Sequence, residues 1–235
     1  MRTCFILGIA FSLFISQSVF ASVVMTGTRI IYPAQAREKS VQLRNTDARP
    51  YLVQIEVEND KSNVLTQGDD AFTAVPQIFR MEPNAGQAVR LMYTGRALPQ
   101  DRESLFYMSF SQLPAVNAAE QNNNQLILAI TSRVKIFYRP QGLTDTPEKM
   151  AQGMMFSLNG SRITVNNPSP LYASVRRASV FINGREIVLA DSEMVAPKSS
   201  VQWRPSAPIR SLKGARLRLI VVNDYGTDIV SERIL

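Results

Sequence analysis

Apolar and polar positions alternate with a period of two through segments 23–32, 40–44, 52–57, 88–93, 105–113 and 126–138. That pattern, rich in β-branched residues, predicts half-buried strands. Clusters of turn residues separate them, among them Arg49-Pro50, Gly68-Asp69-Asp70, Pro83-Asn84-Ala85-Gly86 and Pro99-Gln100-Asp101. No segment keeps a capped helical apolar stripe for three turns, so helices are expected to be minor. The texture changes after Arg139-Pro140-Gln141-Gly142, where the polar stretch Thr144-Asp145-Thr146-Pro147 precedes a second series of strands. These are expected at 154–158, 162–165, 175–182, 186–189, 200–204, 215–223 and 227–234. Asn159-Gly160 and Asn183-Gly184 are placed as hairpin turns. The fold class expected is all-β, two β-sandwiches in series. A boundary near Gly142 gives residues 22–142 and 143–235, roughly 120 and 90 residues, ordinary sizes for such domains.

The first residues do not fit this scheme. Met1-Arg2-Thr3-Cys4 supplies a basic start, 5–14 is almost wholly apolar, and Ser18-Val19-Phe20-Ala21 ends the stretch with small residues before a cut after Ala21. This is the three-part pattern of a secretory signal peptide, with an apolar run too short for an ordinary membrane span. Cleavage leaves 214 of 235 residues, without the one cysteine, Cys4, which precedes the apolar run and is not placed for lipid attachment. The expectation is export, with no membrane insertion after the signal is removed.

Composition then removes whole classes of chemistry. There is no His, so no Ser-His-Asp triad and no imidazole metal ligand or base. Loss of Cys4 leaves no thiolate metal site and no disulfide, so packed cores alone must stabilise the mature chain. No cofactor or metal is expected, and no phosphate-binding Gly-x-x-x-x-Gly-Lys loop is present. The net charge of +7 is spread thinly with few aromatics interleaved, unlike a nucleic-acid groove. Carboxylates remain: Glu56 and Glu58 share a strand face, and Asp69-Asp70 and Asp101 to Glu103 are clustered. Acidic residues at turns and on strand faces are ordinarily just solvated, and neither glycosidase nor calcium spacing stands out.

Segment 124–140 is different. It is apolar on both faces over 126–130, then carries Arg133, Lys135 and Arg139. Within a single domain this would be a central strand. As an edge strand it would bind an extended peptide: backbone bonds for affinity, Leu126, Leu128 and Ile130 for alternate pockets, and a cation at the far end for a carboxylate.

Thr28-Arg29-Ile30-Ile31-Tyr32, Asp101-Arg102-Glu103-Ser104-Leu105-Phe106-Tyr107, Val134-Lys135-Ile136-Phe137-Tyr138-Arg139-Pro140 and Asn223-Asp224-Tyr225-Gly226 closely resemble the signature segments of periplasmic pilus (fimbrial) chaperones, the PapD-like family. Weaker echoes are Asn45-Thr46 before Pro50, Gln54, and 72–76 followed by Phe79-Arg80. The matches occur in order through both predicted domains. The resemblance implies two immunoglobulin-like sandwiches with a cleft between them, and a non-enzymatic protein. Such a protein caps pilus subunits by donor-strand complementation and delivers them to an outer-membrane usher. It also implies roles for residues. Arg29 and Lys135 match the pair that anchors a subunit's C-terminal carboxylate, Leu126, Leu128 and Ile130 the apolar residues lent to the subunit. Glu103, Arg139 and Asp224 match an interdomain charged trio.

Strict alternation sets Lys135 on the opposite face from Leu126, Leu128 and Ile130, so the strand must twist, bulge or enter the cleft at an angle for both roles. The connection 114–125, with Asn122-Asn123-Asn124 and no cysteine pair, points to the short-loop class. The apolar edge would also let two free copies cap each other. Trp203 is expected in the second core. The competing reading is a secreted β-sandwich adhesin or carbohydrate-binding module, which needs exposed aromatic platforms that one Trp and scattered Tyr do not obviously supply.

Overall fold

The structure, a computed structural model, describes residues 22–60, 71–115 and 126–235. The signal-like segment 1–21, the Gly68-Asp69-Asp70 turn and nearly all of the 114–125 connection lie outside these residues. Among the described residues, sixteen strands and one short helix are arranged as two β-sandwiches in series, the all-β class expected.

The first sandwich packs a four-stranded sheet against a five-stranded one. The former has the order β1 (Val23–Met25), β3 (Lys39–Asn45), β7 (Gly86–Tyr93), β5 (Phe72–Val75). The latter has the order β2 (Arg29–Pro33), β9 (Ile130–Arg139), β8 (Ser104–Pro114), β4 (Tyr51–Asn59), β6 (Ile78–Met81). Alternation does the expected work. In β4, Tyr51, Val53 and Ile55 are buried while Leu52, Gln54 and Glu56 are exposed. Inward residues of both sheets, including Tyr32, Leu43, Val89, Phe106 and Ile136, form one core.

Segment 23–32 is not one strand. Gly27, with φ +93°, breaks it, and the chain crosses from one sheet to the other between β1 and β2. This crossing lays β2 alongside β9 as the only parallel pair among the described strands, with Arg29 opposite Lys135 and Pro33 opposite Arg139. Residues 130–134 of β9 pair with β8 but not with β2, so among the described residues their outer edge is open.

The second sandwich joins the sheet β10 (Met155–Asn159), β11 (Arg162–Asn167), β14 (Ser199–Trp203) to the sheet β13 (Arg185–Val195), β12 (Ala173–Ile182), β15 (Arg216–Val222), β16 (Asp228–Ile234). The first hairpin closes one residue later than expected. Asn159 pairs with Arg162, so Gly160-Ser161 makes the turn. Asn183-Gly184 turns as expected, both at positive φ. The polar stretch before the second series starts α1 (Pro147–Gly153), with Thr146 as N-cap accepting from the Lys149 amide and Pro147 in the first turn, where a missing N–H costs nothing. Arg233 of β16 donates to the carbonyls of Gln152 and Met154, satisfying the end of this helix.

Candidate functional site

The candidate site is built where β2 and β9 meet the second domain. Side chains alternate along β9. Ile136 and Tyr138 enter the first core, whereas Lys135, Phe137 and Arg139 point away from it. Phe137 and its cross-strand partner Leu105 are buried yet belong to neither core. Phe137 instead meets the Tyr172 ring of the second domain at 5.7 Å, and a small cavity between the domains is lined by Arg29, Phe137, Arg139, Tyr172, Val222 and Asp224 among others.

The charged trio sits at the base of this cavity. Arg139 Nε donates to Glu103 Oε1 at 2.8 Å, and its two terminal nitrogens donate to the Asp224 carboxylate at 2.7 and 2.8 Å. This fork-to-fork geometry is the strong form of the contact. Glu103, 3% exposed, also accepts from the Tyr172 amide at 2.8 Å, while its own amide donates to the Pro170 carbonyl. Burial pushes the Glu103 carboxyl above its ordinary range against the pull of Arg139, and the two carboxylates push Arg139 up despite its burial. A second, exposed tether joins Lys198 Nζ to Asp101 at 2.7 Å. The sequence reading did not anticipate it. Replacing Arg139 with Met leaves a buried carboxylate without its cation. The expected loss is about 3 kcal/mol of stability, read as a lower urea midpoint; an unchanged midpoint would show that the trio does not stabilise the fold.

The parallel register sets Arg29 and Lys135 side by side on neighbouring strands, about 4.8 Å apart between backbones. Both are half-buried. Arg29 Nη1 donates to the Val222 carbonyl at 3.0 Å, its guanidinium lies 5.8 Å from the Phe137 ring centre, and its Nε is buried without a partner among the described residues. Burial lowers the Arg29 guanidinium, while Asp224 and Glu103 oppose that shift. Burial also lowers the Lys135 ammonium, and Arg29 beside it adds to the effect. The third cation of the strand is already committed: Arg133 pairs with Glu58 at 2.9 Å and lies 3.6 Å over the Tyr107 ring. Arg139 is held by the trio. Among the described residues, Lys135 is therefore the β9 cation with no acidic partner. A cleft of about 470 Å³, lined by Arg29, Lys39, Gln42 and Tyr225, opens beside Arg29 on the other edge of β2.

Upstream on β9 the apolar row is exposed: Leu126 84%, Leu128 63% and Ile130 49%. Regular pairing begins only at Ile130, opposite Gln112 of β8, four residues later than expected from sequence. The β8–β9 ladder runs without a register shift from Ser104↔Tyr138 to Gln112↔Ile130. No bulge therefore separates Ile130 from Lys135, and the two face opposite sides of the strand. The other carboxylates have ordinary surroundings. Glu58 binds Arg133 and Ser109, Glu56 accepts from Gln54, and no metal-binding acidic group occurs among the described residues. Trp203 is buried against Phe156 in the second core and forms no platform.

Two family descriptions match this chain in order. Residues 22–144 match the pili and flagellar-assembly chaperone PapD N-terminal domain, and residues 149–232 the pili assembly chaperone PapD C-terminal domain. The chain is 35% identical to chaperone protein MrkB of Klebsiella pneumoniae over 212 residues, covering 88% of this chain and 89% of the relative. The crystal structure of the YadV chaperone, named a probable fimbrial chaperone in Escherichia coli, is similar with a TM-score of 0.78 at 29% identity, covering 92% of this chain and 100% of that one. A structure of the Salmonella enterica SafA pilin in complex with the SafB chaperone gives a TM-score of 0.75 at 26% identity, covering 94% and 99%. The chain belongs to the PapD-like family of pilus assembly chaperones, which are not enzymes.

Proposed function

We propose that this chaperone holds pilus subunits in the bacterial periplasm by donor-strand complementation and passes them to an outer-membrane usher. The observation that carries the reading is one strand with two unfilled halves. The open edge at 130–134, with Leu126, Leu128 and Ile130 exposed before it, suits an incomplete sandwich that lacks a strand. Further along, Lys135 and Arg29 stand together without a carboxylate on Lys135, which suits the C-terminal carboxylate of the strand that pairs there. The SafA pilin bound to the SafB chaperone supports the same class of partner.

Each apolar side chain transferred into a groove contributes about 2 kcal/mol, and each added backbone bond about 1 kcal/mol net. No nucleotide hydrolysis is needed to hold the complex. In this reading Glu103, Arg139 and Asp224 fix the angle of the cleft, and the domains divide near Gly142. Export rests on the pattern of residues 1–21; sequencing the N-terminus of the purified protein is expected to return Ser22. The functional test is affinity capture from the periplasm of the source organism. Small exported pilus subunits are expected on the wild-type protein. Retention of glycans instead, with no subunits, would overturn the reading.

A further inference from the structure

The end of β15 and the turn into β16 touch the first domain at three alternate residues. Val222 accepts from Arg29, Asp224 from Arg139, and Gly226 abuts Thr28. At Gly226 there is no room for a side chain. A Cβ built there, at φ +84°, would stand 2.4 Å from Thr28 Oγ1, with Thr28 Cβ at 3.5 Å and Cγ2 at 3.6 Å. The turn itself has little freedom to retreat. Asn223 Oδ1 accepts from the amides of Tyr225 and Thr227, and the Asn223 backbone exchanges bonds with Thr227 and Gly226. On the other side, Thr28 is bonded directly to Arg29, at the point where the chain leaves Gly27 for β2.

We propose that Gly226 is a positioning residue for the carboxylate anchor. The absent Cβ lets the locked turn rest on Thr28, and that contact sets where Arg29 stands beside Lys135. The proposal rests on the anchor reading above and adds to it a residue that touches neither the subunit nor the cations. A side chain at 226 must turn the Thr28 hydroxyl aside, displace Thr28 and Arg29 with it, or move the turn and with it the Val222 carbonyl that holds Arg29. Cβ and Cγ2 of Thr28 already stand at 3.5 and 3.6 Å and the backbone is at positive φ, so the relief is assigned to one of the two latter movements. Each of them spoils a pair whose value depends on two cations converging on one carboxylate.

The test uses a synthetic peptide of the C-terminal strand of a pilus subunit from the same organism, made as free acid and as amide. Wild type, Gly226→Ala and the double variant Gly226→Ala with Thr28→Ala are compared by calorimetry. Wild type is expected to prefer the acid. Gly226→Ala is expected to lose about tenfold in affinity for the acid and little for the amide. Thr28→Ala removes the clashing hydroxyl and methyl, so the double variant is expected to regain the acid preference. The backbone strain of Ala at positive φ is not relieved by Thr28→Ala, so melting temperature stays lowered in both variants while binding separates them. Retained acid preference in Gly226→Ala, or no recovery in the double variant, overturns the proposal. Wild type binding acid and amide alike would overturn the anchor itself, and is recognisable because all three proteins would then bind both peptides equally.

Discussion

Lys135→Ala is expected to abolish capture of pilus subunits while leaving the chaperone folded and exported, and Arg29→Ala is expected to do the same. The physical case starts from burial. Lys135 is half-buried, has no acidic partner among the described residues, and has Arg29 beside it, so the free protein holds two like charges close together in a partly desolvated cleft. A carboxylate placed between them relieves that repulsion and gains two charge-assisted bonds. Removing either cation forfeits one of those bonds and leaves the carboxylate half-satisfied, a loss of about 4 kcal/mol or a thousandfold in affinity. The same charges fix a pH dependence. Binding a carboxylate raises the Lys135 pKa above its lowered value in the free protein. Affinity is therefore fully present below the free value and is lost as pH rises through the bound value. Capture from a periplasmic extract by wild type and Lys135→Ala, with thermal melts of both, decides the matter. Equal capture would remove Lys135 from the site. Unequal melting would mean that the loss came from the fold.

Much of this was legible from alternation, and the exceptions have identifiable causes. The long strand β4 was readable because one face is buried and the other is wet, and β8 because its apolar run is long, with residues of both faces buried. β5 and β6 were missed as elements since each has only four residues, too few for a period to register. The helix α1 was hidden by its length of seven residues and by Pro147, read as part of a polar stretch before the second series of strands though it sits in a capped first turn. The break at Gly27 had a signal, an isolated glycine in a strand pattern, but nothing local says that the chain changes sheets there.

At the site, the opposite facing of Ile130 and Lys135 followed from parity alone and is found in the ladder. The pairing of Arg29 with Lys135 is 106 positions apart and depends on a parallel register that no local pattern encodes. Only the ordered resemblance pointed to it. The trio of Glu103, Arg139 and Asp224 came the same way, and their contact distances are those of a bridged group. What neither pattern nor resemblance supplied were the supports: Tyr172 against Phe137, Lys198 on Asp101, and Gly226 on Thr28. These contacts join residues from different domains, so their meaning exists only after both domains are folded and docked.

The second large effect is expected at Leu128. Even-numbered residues of β9 bury Ile136 and Tyr138 in the chaperone's own core; the same parity, continued upstream past the end of that core, gives exposed Ile130, Leu128 and Leu126. A side chain that is 63% exposed in the free protein contributes little to its stability, so Leu128→Glu is expected to leave the melting temperature within the small range usual for surface substitutions. Binding is another matter. If Leu128 enters a subunit groove, the variant gives up about 2 kcal/mol of apolar transfer and must also desolvate or protonate a carboxylate. Loss of at least about 3 kcal/mol, more than a hundredfold, is expected in subunit affinity. Leu128→Met, which keeps volume and apolarity, is expected to bind nearly as well as wild type. The two substitutions separate groove insertion from mere proximity. An exposed residue at the rim tolerates Glu about as well as Met, whereas a residue buried on binding tolerates only Met. Wild-type affinity in Leu128→Glu would therefore exclude that side chain from the groove, even if Lys135 proved essential.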